Sequence, residues 1–122
     1  MATYTGFSTI AVEALKDSDF VDEIISAGLS YHEYVIAASY TTPVVGQLIE
    51  LSSGEAIRVA TADNAIGILV RKSEGAENKW LVCDFGAVIK NADYNSLVVA
   101  TVNTALRARG ITVITAPTFE QV

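Results

Sequence analysis

Asn64–Arg71, NAIGILVR, is the stretch on which the fold turns. It is the strongest short apolar run in the chain, and Gly67 interrupts it at the centre. Ala62-Asp63-Asn64 before it and Lys72–Asn78 after it are polar turn material. A short apolar run bounded by turns reads as a strand. Glycine inside a strand packs nothing and marks a bulge, a bend or a close backbone approach. Gly67 is therefore expected to bend or thin the sheet so that a neighbouring element can lie close. Ile66, Ile68 and Val70 are expected on one face, with Leu69 on the other.

Working outward, the same grammar repeats. Gly46–Leu51 is a strand, Ser52-Ser53-Gly54 a turn, and Ile57 and Val59 alternate with Arg58 in the next strand. Lys79–Phe85 follows, with Trp80, Val82 and Asp84 on one face and Leu81, Cys83 and Phe85 on the other. Gly86 breaks it and Ala87–Lys90 resumes it. Short strands at this spacing indicate a compact, mainly antiparallel sheet or barrel. Asn91–Asn95 is a turn that supplies N-cap residues. Ser96–Arg109 reads as a helix with Arg107 and Arg109 in its last turn and Gly110 as its stop. Leu97–Val102 is as β-like as it is helical. Ile111–Ile114 is a last strand, and residues 116–122 form a tail.

Toward the N-terminus, Tyr31 opens an extended stretch broken at Pro43, which a central strand would not tolerate. Asp17–Gly28 predicts a short amphipathic helix. Ser18 or Asp19 can cap it, Asp22 and Glu23 suit its dipole, Phe20, Ile24 and Ala27 repeat at helical spacing, and Gly28 ends it. Ala2–Val12 is uncharged and β-prone with no hairpin partner nearby, and it reads either as a short edge strand of the protein's own sheet or as a strand that seeks an edge elsewhere. The predicted class is thus mainly β with minor α: a compact antiparallel body over residues 17–115 with one or two short helices. An extended N-terminal arm, residues 1–16, precedes it.

The chain has 122 residues, 51% hydrophobic and 18% charged, which fits one globular domain. Net charge is −6, with about −7 in Met1–Ile57 and +1 in the remainder. That balance argues against a binder of nucleic-acid phosphates. The near-cluster Arg71, Lys72 and Lys79 alternates with Glu74 and Glu77 and reads as a solvated turn. The single cysteine, Cys83, excludes an intrachain disulfide and reads as a small buried hydrophobe. No stretch has the length and apolarity of a signal peptide or a membrane helix, so a soluble protein made in the cytoplasm is expected.

Catalytic groupings are thin. The only histidine, His32, cannot by itself assemble a zinc site. It lies in no nucleophile context and reads as surface or hydrogen-bonded filler. Asp84-Phe85-Gly86 matches a kinase triplet without the rest of the kinase set. No dinucleotide or phosphate loop occurs. A non-enzyme without cofactor, metal or small-molecule substrate is expected.

The middle of the chain resembles a known family. TTPVVGQLIELSSGEAIRVATADNAIGILVRKSEG, then WLVCDFGAVIKN and ALRARGITVI, is similar to the lambda-type bacteriophage head decoration proteins. The shared pattern is Thr42-Pro43 opening a short strand, a Ser-containing turn, and an A-x-G-I-L run at Ala65, Gly67, Ile68 and Leu69. A Phe85-Gly86-Ala87 step and a helix giving way to a final β-branched strand complete it. The likeness spans Thr41–Ile114. It implies a homotrimer that binds the outside of an expanded head at local three-fold positions and clamps neighbouring major capsid proteins. It also implies an N-terminal arm, flexible in the free protein, that adds a strand to a capsid sheet. The arm residues would be Ala2, Thr3, Tyr4, Thr5, Gly6, Phe7, Ser8, Thr9 and Ile10. Their lack of charge suits strand addition, in which the backbone supplies affinity. Pro43, Gly67, Gly86 and Gly110 are expected as structural joints. Two alternatives stay open: another phage structural β-module, such as a tail or fibre component, and a small-ligand-binding β-barrel.

Overall fold

The computed structural model describes residues 19–75 and 78–114. The arm Ala2–Ile10 and the tail lie outside them. The described chain is mainly β with minor α, as its patterning predicts. Strand β1 (Val21–Ile24) leads into a one-turn helix α1 (Ala27–Ser30) and strand β2 (Tyr31–Val35). An irregular stretch through Pro43 follows, then strands β3 (Leu48–Ser52) and β4 (Glu55–Arg58). Strands β5 (Gly67–Lys72), β6 (Lys79–Cys83) and β7 (Ala87–Lys90) precede helix α2 (Val99–Arg107) and strand β8 (Ile111–Ile114).

Two sheets result. The larger has the order β2-β6-β5-β3-β4, antiparallel throughout. Ser53 and Gly54 both take positive φ, the geometry of a tight hairpin turn, and so set the β3–β4 register. The sheet curls until its edges meet: Ile36 bridges Ala56, and the Ala37 amide donates to the Ala56 carbonyl at 3.0 Å. That seam turns the sheet into a small barrel. The smaller sheet has the order β1-β7-β8, with β1–β7 antiparallel and β7–β8 parallel.

Neighbouring residues show how the barrel wall is used. Ile49, Leu69 and Val82 join Ile36, Ala56 and Ile66 in one core, inside the barrel. Their chain neighbours Leu48, Ile68 and Cys83 join Val59, Val70, Ile89, Val102, Leu106 and Ile111 in a second, between the wall, the small sheet and α2. Successive strand side chains point to opposite faces, so this wall is buried on both. A strand covered on both faces reads as a continuous apolar run rather than an alternation. That is why Ala65–Val70 is apolar almost without a break. The expected grouping of Ile66 with Ile68 and Val70 is corrected: Ile66 sides with Leu69. Strand β5 begins at Gly67, and Ile66, whose amide donates to the Ile49 carbonyl at 2.9 Å, sits at its entry ahead of the alternation.

The helix expected over Asp17–Gly28 is also corrected. Asp17 and Ser18 lie outside the described residues; residues 21–24 are a strand, and the α-helix among the described residues of this span is Ala27–Ser30, with Gly28 inside it rather than ending it. The physical reason is a bulge. Val21 faces Ile89 while Glu23 faces Val88, so the register slips by one residue between them. An extra residue in a strand brings i and i+3 to the same side. Val21 and Ile24 therefore both pack on the second core, at a spacing that mimics a helix.

Helix α2 starts at Val99, inside the ambiguous run, and its N-cap is Val98 with no capping side chain. Asn95 and Ser96 instead adopt left-handed backbone, and the Asn95 amide Nδ2 donates to the Val59 carbonyl at 2.8 Å. The expected N-cap residues serve the turn, not the helix.

Candidate interaction surface

Gly86 sits at a bend beside three of the exposed large apolar side chains of the described residues. It has φ +54°, a conformation costly for any residue with a Cβ. The Ile25 amide donates to its carbonyl at 3.1 Å, and so does the Ser30 hydroxyl at 3.1 Å. A Cβ on Gly86 would collide with the Ile25 side chain. Around this point Ile25, Leu29 and Phe85 are 62%, 53% and 45% exposed. Phe85 was expected to continue the strand on the face of Leu81 and Cys83, but β6 ends at Cys83 and Phe85, at the bend before Gly86, is exposed.

Gly110 belongs to the same joint. The Gly86 amide donates to the Arg109 carbonyl at 3.0 Å and the Ala87 amide to the Gly110 carbonyl at 3.2 Å. A Cβ on Gly110 would stand 3.5 Å from Gly86 Cα, and its own φ is +76°. The two glycines let the β6–β7 bend lie against the turn between α2 and β8. Gly67 answers the question its position raised: a Cβ there would lie 2.9 Å from Asp84 Cα and closer still to the Cys83 carbonyl oxygen. No side chain fits between β5 and the end of β6. Pro43 lies in the irregular stretch and lines, with Tyr40, Trp80, Glu55 and Lys72, an open groove of about 790 Å³ beside the barrel seam.

The buried polar residues Ser30, Glu50 and Asp84 are engaged in structural bonds. Asp84 is 3% exposed and accepts from the Tyr34 hydroxyl and, at 2.5 Å, from His32 Nδ1. His32, with its side chain 47% exposed, is thus both surface and hydrogen-bonded, as its context suggested. Glu50, 7% exposed, accepts from the Ala60 and Thr61 amides at 2.8 and 2.9 Å. Those bonds fasten the chain after β4 to β3. Burial and the neighbouring Asp84 push the Tyr34 hydroxyl up to about 12, and burial pushes Tyr40 to about 12. Burial, with Asp84 beside it, likewise raises the Cys83 thiol to about 12, so at neutral pH it is a protonated hydrophobe. The His32–Asp84 pairing, 52 residues apart, had no signal in the sequence beyond the residues themselves.

No group of three or more metal-ligating side chains occurs among the described residues. No helix among them is long and apolar enough to cross a membrane. No protein-family model matches the chain, and no curated protein matches it either.

Proposed function

We propose that this is a structural virion protein: a head decoration protein that binds the outer surface of an expanded phage capsid as a homotrimer. It stabilises the shell by clamping neighbouring major capsid proteins, and it performs no catalysis. The observation that carries this reading is the contrast around Gly86. Ile25, Leu29 and Phe85 are presented to solvent by bends held with hydrogen bonds. The buried Asp84 nearby, with Tyr34 and His32, is engaged in holding the fold. Exposed apolar clusters on a small soluble domain mark contact with other macromolecules. The likeness of Thr41–Ile114 to the decoration family supplies the identity of that partner, and the uncharged arm Ala2–Ile10 supplies a second attachment. Three arms on one trimer would add avidity.

The test is direct. Sedimentation should give a three-chain particle that co-sediments with undecorated expanded heads of the phage that encodes it. Deleting Ala2–Ile10 should leave folding and the trimer intact and weaken head binding at least tenfold. A monomer that leaves such heads bare would end this reading.

A further inference from the structure

Among the described residues the two sheets have four edge strands, and three of them are closed or guarded. The edges β2 and β4 meet at the Ile36–Ala56 seam. β1 is broken by its bulge and carries Asp22 and Glu23. Bulges and charges are the usual means of stopping an edge from pairing with a foreign strand. β8 has neither: Ile111-Thr112-Val113-Ile114 is uncharged, unbulged and without proline. Among the described residues no strand lies on its outer side.

Which of its backbone groups point away from β7 follows from the ladder. The Ala87 amide donates to the Gly110 carbonyl, and Ala87 lies opposite Ile111. In a parallel pair alternate residues bond the neighbour. Thr112 and Ile114 therefore face β7, while Ile111 and Val113 aim their N–H and C=O groups outward. Thr112 and Ile114 side chains are exposed. The surroundings are also distinctive for an acidic protein. No acidic residue occurs between Asp93 and Glu120. Arg107, exposed in the last turn of α2 ahead of β8, has no ion-pair partner among the described residues.

From these observations we infer that β8 is a docking edge that accepts an extended segment of the major capsid protein by strand addition. The segment is uncharged opposite Ile111–Ile114 and bears an acidic side chain toward Arg107. This rests on the capsid reading and deepens it. The protein would not only give a strand through its arm but also receive one, so each molecule would tie two capsid segments together. Backbone bonding supplies affinity at such an edge, and the flanking charge supplies direction.

Hydrogen exchange on free protein and on protein bound to expanded heads tests it. The Ile111 and Val113 amides should slow at least tenfold on heads. Val113→Pro removes the outward N–H and leaves the β7 ladder untouched, so it should weaken head binding at least tenfold. Because Val113 is half-buried, Thr112→Lys, on an exposed site, serves as the second variant with the same expectation. Full head occupancy with unchanged exchange at Ile111 and Val113 would overturn the docking edge and leave the capsid reading standing. Failure of the wild-type chain to occupy heads at all would remove both.

Discussion

The barrel and the three-stranded sheet are built from similar residues and treated oppositely. Barrel strands β3, β5 and β6 are covered on both faces, and the barrel's edges are sealed by a backbone bridge. The small sheet is covered on one face, has no strand beyond β8 among the described residues, and is flanked by bends that display Ile25, Leu29 and Phe85. Apolar content alone does not separate a core from a contact surface; what closes over it does. The barrel holds the fold, and the small sheet with its bends is the surface we propose a partner meets.

Substitutions that affect only one side of this division would sharpen it, and substitutions that affect both would break it. The largest effect belongs to Gly67→Val. The added side chain meets backbone rather than a movable side chain. Overpacking of that kind costs about 3 kcal/mol or more, measurable by urea unfolding; a loss under about 1 kcal/mol would show that β5 and β6 can part. Next comes Tyr34→Phe, which takes one donor from the buried Asp84 and should cost about 1–3 kcal/mol. Alkaline titration should follow in size. Tyr34 and Tyr40 hold their protons to about 12 in the folded state, above the ordinary 10.0 of an unfolded chain. Between those values the folded chain binds more protons, so the tyrosines' contribution to stability is full below about pH 10 and declines as pH rises toward 12, while the Cys83 thiol, raised from 9.0, adds a decline that starts about one unit lower. Tyr34→Phe should flatten part of that decline, and a decline of equal slope in the variant would remove Tyr34 from the account.

Much of this was legible in the sequence, and the rest failed for physical reasons. Ala87–Lys90 and Ile111–Ile114 fall where alternation and flanking glycines put them, because those strands depend on local pattern. Gly67 announced a close approach, since few other causes leave a strand interior bare. Val21–Ile24 was misread because a bulge gives a strand the spacing of a helix. The parallel pairing of β7 with β8 and the His32–Asp84 contact depend on what tertiary structure brings together. Periodicity within a segment carries no trace of either. The apolar surface was hidden for the same reason: Phe85 has the same hydrophobicity inside or out, and only the bend at Gly86 decides its side.

The division between a holding region and a meeting region is tested most directly by one triple variant, Ile25→Ser, Leu29→Ser and Phe85→Ser, assayed for both unfolding and head binding. Each side chain is exposed, so unfolding free energy should stay within about 0.5 kcal/mol per site of wild type. Co-sedimentation with expanded heads should weaken at least tenfold. Undiminished decoration by the folded variant would contradict the account, because the surface around Gly86 would then have no part in holding the shell.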